Sequence, residues 1–263
     1  MKKKIVSTIL NLLFPRDRFH VSSKEVFGIK FYLFSDQHVG RKIILGKYEE
    51  HEVKFFLAEI KPSDVCLDVG ANIGYFTFLF AKNGKKVSSI EPILSNVRLM
   101  QLTATINNIK NIEIINSLAS DKEDIVKFVE AEETSLSGIE TSGFKGDLVK
   151  NYGAMSTISY DVSSIILDNV HFEKLDIVKI DVEGAELKVL RGMLRTLKKH
   201  TPRLIMIEAV PAALSLHGDS FVGLLDFMRN SQYKPMILKS AKLVDYNGGD
   251  IPNDNLFFQL SNH

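Results

Sequence analysis

A short segment at residues 68–74 places two glycines where an apolar run turns into a helical pattern. Gly70 permits backbone torsions that a Cβ would oppose and lets a ligand approach the backbone, and Gly74 allows close helix packing. The N–H groups at the start of the following helix would favour an anionic group, such as the carboxylate of an amino acid. The segment therefore predicts a ligand-binding turn, although a tight turn without a ligand has the same pattern.

An acidic residue, Glu91, ends the second apolar run, about 20 residues after Gly70. A carboxylate at that point can accept hydrogen bonds from both hydroxyls of a ribose. A solvated strand end before Pro92 would explain Glu91 equally well if it stood alone. Together with the glycine turn, Glu91 favours a cofactor that contains a ribose.

The spacing of the glycines distinguishes between two cofactors that contain a ribose, a nicotinamide dinucleotide and S-adenosylmethionine. Nicotinamide sites usually carry three glycines, in the pattern G-x-G-x-x-G, because they accommodate a pyrophosphate. This turn has only Gly70 and Gly74, with Asp68 two residues ahead of the first. S-adenosylmethionine (SAM) has no pyrophosphate, so SAM is favoured. A nicotinamide oxidoreductase and a catalytically silent binding protein remain alternatives.

Three acidic residues follow the fourth apolar strand pattern: Asp181, Glu183 and Glu186. Ligands of doubly wound sheets bind at this carboxyl edge, where carboxylates could position an acceptor hydroxyl, take its proton or hold a hard cation. Asp181 is the first candidate for the site and Glu183 the second. Glu186 is interpreted as structural, since the helix dipole alone favours a negative charge in a first turn.

The elements that would position these residues alternate between short apolar strands and helical patterns, which is typical of a parallel sheet covered on both faces. The predicted strands of this sheet are residues 65–69, 86–91, 112–115, 175–181, 204–208, 234–238 and 255–260. The predicted helices between them are residues 74–82, 94–107, 187–197 and 221–228. We therefore expect a doubly wound α/β fold with a seven-stranded sheet.

Four segments of the chain resemble the ordered motifs of the FkbM family of SAM-dependent methyltransferases: residues 68–76, 90–92, 179–192 and 207–208. The long block at residues 179–192 is much more specific than the glycine turn. The resemblance implies a class I, Rossmann-like methyltransferase fold whose mostly parallel sheet has an antiparallel last strand. It also implies SAM as methyl donor and O-methylation of a sugar, glycan or natural-product hydroxyl or carboxyl group.

The resemblance further implies which residues contact the cofactor. Those around its methionine end are Asp68, Gly70, Asn72 and Gly74. Those near the adenine, directly after the third strand, are Ser117, Leu118 and Ala119. Glu91 is expected to accept hydrogen bonds from the ribose. Tyr48 and Glu49 resemble a further family feature, and Glu49 could close over the cofactor, although a charge on a surface helix is the simpler interpretation.

Methyl transfer to oxygen is an in-line displacement at a carbon that the sulfonium already activates, so no covalent enzyme intermediate is required. A neutral sugar hydroxyl is a poor nucleophile, and we therefore expect a base. The candidate catalytic residues are Asp181, Glu183 and His217. A solvated loop histidine is the more common interpretation of His217. The histidines lack metal-ligand spacing, so no metal site is predicted.

The expected organisation is a single domain, since 263 residues can bury one substantial core. Residues 1–60 are expected to form a cap of helix and strand, and residues 61–263 the methyltransferase domain. A polar, glycine-containing insertion at residues 134–160 follows an extra strand predicted at residues 125–129. An insertion of this length often forms a lid or a substrate wall, and we interpret it as the acceptor-side wall.

The charge balance and the cysteine content indicate which class of partner and which cellular compartment to expect. Thirty-three basic and 32 acidic side chains nearly cancel, which disfavours nucleic acid and leaves a small molecule or glycan as the expected acceptor. The single cysteine, Cys66, lies in an apolar run and is expected to be a buried hydrophobic residue. These features are typical of a reduced, cytoplasmic protein.

The N-terminus has three lysines ahead of an amphipathic pattern at residues 5–14. The pattern is interrupted by polar residues and is shorter than the roughly 20 apolar residues that span a bilayer. No small-residue cleavage site follows it. We expect a helix that docks on the domain, with weak membrane-surface contact through residues 2–14, and hence a peripheral location, as the alternative.

Overall fold

The computed structural model describes residues 20–131, 136–140, 157–251 and 254–261. The predicted N-terminal helix at residues 5–14 lies outside these ranges, as does most of the predicted insertion at residues 134–160. Within the described residues, the chain forms an eight-stranded central sheet, a four-stranded second sheet and a two-stranded hairpin.

The strands and helices are numbered here in chain order. The strands are β1 Val21–Val26, β2 Ile29–Phe34, β3 Val65–Val69, β4 Lys86–Ile90, β5 Ile112–Ile115, β6 Leu118–Ala119, β7 Ile125–Ala131, β8 Gly138–Ile139, β9 Thr157–Ile165, β10 Ile177–Ile180, β11 Leu204–Glu208, β12 Tyr233–Lys239, β13 Lys242–Asp245 and β14 Asn255–Leu260. The helices are α1 His38–Leu45, α2 Glu50–Glu59, α3 Tyr75–Asn83, α4 Leu94–Ile106, α5 Glu186–Gly192, α6 Leu194–His200, α7 Pro211–Leu216 and α8 Phe221–Asn230.

The central sheet runs in the order β13-β12-β14-β11-β10-β3-β4-β5. The five strands from β11 to β5 are parallel, and β14 inserts antiparallel between β11 and β12. This order confirms the predicted doubly wound class I methyltransferase sheet with an antiparallel last strand. The predicted count of seven strands is one short, because β13 pairs with β12 as an added edge strand.

The middle of the sheet is covered on both faces. All five residues of β3 and all four of β10 are buried, which explains their nearly continuous apolar sequences. One face packs against α5, α6 and α8, and the other packs against α2 and α3. Polar residues inside β3 and β10 are therefore held in a dry, rigid layer directly below the carboxyl ends of the strands.

The N-terminal part of the described chain packs beside the sheet. The hairpin of β1 and β2 contacts α4, and the Tyr32 N–H donates to Thr103 Oγ1 at 3.1 Å. Strand β2 and helix α2 lie in the segment that was expected to form a cap of helix and strand. Helix α1 was not predicted. Of these elements, α1 and the start of α2 form one wall of the cavity described below.

The second sheet has the order β6-β9-β7-β8 and stands next to the carboxyl edge of the central sheet. Its main pairing joins β7 and β9 in an antiparallel ladder of seven residue pairs. The extra strand predicted at residues 125–129 is the first part of β7. Among the described residues, no helix has the length and apolar character that a membrane crossing requires.

Candidate active site

A cavity of about 460 Å³ lies at the carboxyl ends of the central strands. Its floor comes from the segments that follow β3, β4, β10 and β11, which is where doubly wound sheets bind ligands. Its walls come from α1 and the start of α2 on one side, and from the second sheet and α7 on the other. The sequence-predicted residues that line it are Gly70, Asn72, Glu91, Ser117, Leu118, Ala119, Asp181 and Glu183.

The turn after β3 is shaped by its close approach to the chain after β10. Gly70 has φ +75°, and a Cβ there would lie 1.7 Å from the carbonyl oxygen of Asp181. Gly74 has φ +88°, and a Cβ there would lie 2.7 Å from the Met100 side chain. Packing against backbone therefore requires Gly70, whereas its positive φ favours glycine at residue 74, which does not line the cavity.

The amides of this turn are already used. The N–H groups of residues 70 and 71 both donate to the carbonyl of Ile90, at 2.9 and 3.1 Å. Those of Asn72, Ile73 and Gly74 donate to Glu91, to the Asn72 side chain and to the Ala71 carbonyl. Hydrogen bonds within the protein therefore already occupy the N–H groups of residues 70–74. An anionic group at this end would have to use the first turn of α3 or a side chain of the wall.

Two basic side chains of α1, His38 and Lys42, line the same cavity as Asn72 and Ile73. Sequence reasoning missed them, because α1 was not predicted. A carboxylate bound in front of the glycine turn would find positive charge on this wall.

Glu91, which directly follows β4, lines the cavity. Its carboxylate accepts from the Asn72 N–H at 2.8 Å, the Ile93 N–H at 3.0 Å and Asn96 Nδ2 at 3.1 Å. Burial raises the pKa of Glu91 to about 7, although these three donors act in the opposite direction. The carboxylate is thus fixed in one orientation, with both sites of Oε1 used and one lone pair of Oε2 left for a further donor.

The wall after β5 is apolar. Leu118 packs with Ile93 and Phe128 in one cluster, and Ala119 is 4% exposed. Ser117 donates its hydroxyl to the Ser163 carbonyl of β9 at 2.7 Å, which ties this wall to the second sheet. A flat aromatic ring such as adenine is suited to a wall of this kind.

The other end of the cavity is strongly acidic. Asp181, Glu183 and Glu208 each offer a carboxylate oxygen, and these oxygens lie within 4.8 Å of one another, so the three groups could hold a hard cation. Burial and the neighbouring Asp181 hold the pKa of Glu183 and of Glu208 well above its usual value. Glu183 has φ +54°, which turns the chain sharply after β10.

Glu49 adds a fourth carboxylate from the opposite wall. It begins α2, and its Oε2 accepts from Asn255 Nδ2 at 3.0 Å. Burial and the adjacent Glu52 raise the pKa of Glu49 to about 8. Glu49 is therefore a cavity residue, not a charge on an exposed helix surface.

Several predicted residues lie outside the cavity lining. Asp68 is fully buried below the turn, and its Oδ2 accepts from Thr77 Oγ1 at 2.6 Å. His217 ends α7 behind the acidic loop, where its Cδ2 would lie 2.9 Å from a Cβ on Gly184, and burial lowers its pKa. Glu186 is also buried, and its Oε1 accepts from the N–H groups of Val182 and Gly184.

Two further cavity residues, besides His38 and Lys42, were missed by sequence reasoning. Glu208 belongs to a family-like motif but had no assigned role, although an acidic residue at the end of a parallel strand was the signal used for Glu91. Lys179 also lines the cavity. Its signal was a lysine within the apolar sequence of β10, a strand that is buried on both faces.

Three solved structures are similar to this chain at low identity. A methyltransferase FkbM from Methylobacillus flagellatus KT is 18% identical, over 76% of this chain and 44% of its own, with a TM-score of 0.48. TYW2 from M. jannaschii, solved with AdoMet, is 15% identical over 90% and 83%, with a TM-score of 0.44. An rRNA methylase from Streptococcus thermophilus is 12% identical over 80% and 95%, with a TM-score of 0.42.

This chain spans less than half the length of the Methylobacillus protein. No curated protein sequence matches it. The family model described as the methyltransferase FkbM domain matches residues 68–235, which is more than half of the chain and contains the glycine turn, Glu91 and the acidic loop after β10. The chain therefore belongs to the FkbM methyltransferase family.

Proposed function

We propose that this methyltransferase uses SAM to methylate a hydroxyl group of a sugar, glycan or natural product. The observation that carries the proposal is the contact between the two halves of the cavity floor. The turn at Gly70 packs directly against the backbone of Asp181, where a Cβ would be 1.7 Å from the carbonyl oxygen. A methionine end held at this turn would therefore lie beside the carboxylates that face the acceptor.

The cofactor side of the cavity supports SAM. Glu91 has a lone pair left to accept from a ribose hydroxyl, and the apolar surface of Leu118 and Phe128 suits an adenine. His38 and Lys42 offer positive charge to the carboxylate of the methionine part. Two of the five turn amides donate to Ile90, a strand residue, and are therefore not available to the pyrophosphate of a nicotinamide cofactor.

The acceptor side favours a hydroxyl over a carboxyl group. Burial, together with the neighbouring carboxylates, raises the pKa of Glu49, Glu183 and Glu208, so further negative charge is disfavoured at this end. An acceptor carboxylate would add to that repulsion. A hydroxyl instead donates a hydrogen bond to a carboxylate, so the lining matches it.

When bound, SAM supplies a methyl group on a positively charged sulfur. Asp181 would accept the proton of the acceptor hydroxyl while the hydroxyl oxygen forms its bond to the methyl carbon and the electrons of the breaking carbon–sulfur bond pass to sulfur. Glu183 and Glu208 would orient further hydroxyls of the acceptor. In this proposal, His217 is a partly buried residue outside the cavity lining and not the base.

Calorimetric titration with SAM, and separately with NAD, tests the donor. Saturable binding of SAM but not of NAD is expected, followed by a screen of sugars and other hydroxyl acceptors with methyl-labelled SAM. Asp181→Asn should lower kcat by about 100-fold or more and change the SAM Kd by less than about 3-fold. Asp161→Asn, which removes an exposed carboxylate paired with Lys127, is the matched control.

Three outcomes would contradict the proposal. NAD binding without SAM binding would favour an oxidoreductase. Equal loss of SAM affinity and of turnover in Asp181→Asn would move Asp181 to the cofactor site. Tight SAM binding with no transfer to any acceptor would favour a silent binding protein.

A further inference from the structure

A buried row of polar side chains crosses the sheet beneath the glycine turn. Ser89 on β4, Asp68 on β3 and Lys179 on β10 are direct register partners in neighbouring parallel strands. Thr77 on α3 joins the row, since its hydroxyl donates to Asp68 at 2.6 Å and lies 2.9 Å from Ser89 Oγ. Polar residues in this dry layer would be costly without partners, so the row is a specific arrangement.

Lys179 is the cation of this row. It is 4% exposed, and its Nζ donates to Asp181 Oδ2 at 3.0 Å, lies 3.7 Å from Asp68 Oδ1 and lies 5.5 Å from the centre of the Phe76 ring. Burial alone would lower the pKa of Lys179, but Asp181 and Asp68 together raise it above its usual value. Lys179 is therefore held as a charged group between one buried carboxylate and one that faces the cavity.

The contact with Lys179 leaves part of the Asp181 carboxylate available to a ligand in the cavity. Among the described residues, the ion pair engages only Oδ2, and the Asp181 side chain is 27% exposed to the cavity. The neighbouring groups Glu49, Glu183 and Glu208 are all acidic, and Lys179 is the cation that acts against the rise of their pKa values. Without Lys179, these carboxylates would repel Asp181 from its present position.

We propose that Lys179 is a positioning residue that holds Asp181 at the reacting end of the cavity, and that Asp68 acts through Lys179 and not through contact with the cofactor. The inference rests on the proposed function, because it takes Asp181 to be the group that accepts the proton. It corrects the expected role of Asp68 around the methionine end, since Asp68 is fully buried and does not line the cavity.

Structures of the SAH complexes of the wild type, Lys179→Met and Lys179→Arg test the positioning directly. In Lys179→Met, the Asp181 carboxylate should leave its position by about 1 Å or more, a displacement that can cost about 100-fold in rate. In Lys179→Arg, which keeps a cation between the two carboxylates, it should stay. An unmoved Asp181 in the Met variant would overturn the proposal.

Kinetics give the second test. Lys179→Met should lower kcat by about 10- to 100-fold and change the SAM Kd by less than about 3-fold, with partial recovery in Lys179→Arg. In an Asp181→Asn background, the same change should cost less than about 3-fold, because Lys179 acts through Asp181. Lys86→Met, which breaks the exposed pair with Glu113, is the control.

Asp68→Asn keeps the proposal testable if Lys179→Met does not fold, and it needs only SAM titration. A SAM Kd within about 3-fold of the wild type is expected, because Asp68 is held below the turn. A Kd raised by about 10-fold or more in a folded variant would mean direct cofactor contact and would overturn the role given to Asp68. Failure of SAM binding in the wild type would instead contradict the proposed function, so the two failures are distinguishable.

Discussion

Gly70 is needed for two separate reasons, the packing of the sheet and the approach of a ligand. Its positive φ and the 1.7 Å approach of the Asp181 carbonyl to its absent side chain make it a packing requirement of the sheet itself. The same bare backbone is what would allow a ligand to approach the turn. A glycine in this motif is therefore evidence for the fold first and for the cofactor second.

Gly70→Ala should destabilise the protein by about 3 kcal/mol or more, because the backbone must shift as well as adopt a strained φ. Urea unfolding measures this. Gly46→Ala is the matched control, since Gly46 has φ +69° but nothing within 4 Å of its missing Cβ. It should cost only about 1 kcal/mol. Equal losses in the two variants would show that φ alone, and not the approach of Asp181, matters at residue 70.

The affinity for SAM should depend on pH through Glu91. In the proposed complex, a ribose hydroxyl donates to the ionised carboxylate, and burial raises the pKa of Glu91 to about 7. The SAM Kd should therefore rise about 10-fold between about pH 8 and about pH 6, as the carboxylate gains its proton. Calorimetry at several pH values measures this. Glu91→Gln should bind more weakly with a flatter profile, and an equally steep profile in that variant would place the titration elsewhere.

At the scale of elements, the residue patterns predicted most of the central sheet but not its edge. The strands of the parallel part are buried on both faces, and their apolar runs are therefore plain in the sequence. Strand β13 follows β12 through Ser240 and Ala241, both with positive φ. Hairpin turns of this kind usually contain glycine or asparagine, so this turn carries no sequence signal.

The helix predicted at residues 187–197 is two helices in the structure. Its apolar stripe continues from Leu190 to Leu194 in register, and periodicity alone therefore indicates one helix. Gly192 ends α5 where a Cβ would lie 2.0 Å from the carbonyl oxygen of Ser120. The break follows from the packing of α5 against the end of β6, a contact between residues 72 positions apart that local pattern does not show.

Gly192→Ala should therefore push α5 away from β6, cost about 1–3 kcal/mol, and weaken SAM binding through the wall at residues 117–119. Gly223→Ala in α8 is the control, since the nearest atom to its missing Cβ is the Ser220 side chain at 3.2 Å. That change should lie within about 0.5 kcal/mol of the wild type. Unfolding and SAM titration of both variants test this, and unchanged SAM affinity in a destabilised Gly192→Ala would separate α5 from the cofactor wall.

At the scale of the whole molecule, the candidate site depends on contacts that no local pattern contains. Lys179 and Asp68 meet only through the register of β10 and β3. Glu49 meets Asn255 across 206 positions of the chain, where α2 begins opposite the start of β14. Sequence motifs identified the ends of the central strands, whereas the walls that close the cavity became visible only in three dimensions.

The hydrogen bond from Asn255 to Glu49 joins the N-terminal wall to the last strand of the sheet, and Asn255 is 6% exposed. Asn255→Ala would leave the buried Glu49 carboxyl without this donor. The expected cost is about 1–3 kcal/mol, or about 2–4 °C in Tm for each kcal/mol. Because Glu49 neighbours Asp181 and Lys179 at the acidic end of the cavity, the SAM Kd should change by less than about 3-fold while turnover falls.

Asn169→Ala is the matched control, since Asn169 donates to Glu123 at 2.7 Å in an exposed pair, and its loss should cost less than about 0.5 kcal/mol. Thermal unfolding and SAM titration of the two variants give the comparison. If Asn255→Ala weakened SAM binding and turnover to the same extent, the wall would belong to the cofactor end. If it changed turnover alone, the last strand and the N-terminal wall would together shape the acceptor end, because Glu49 and Asn255 both line it.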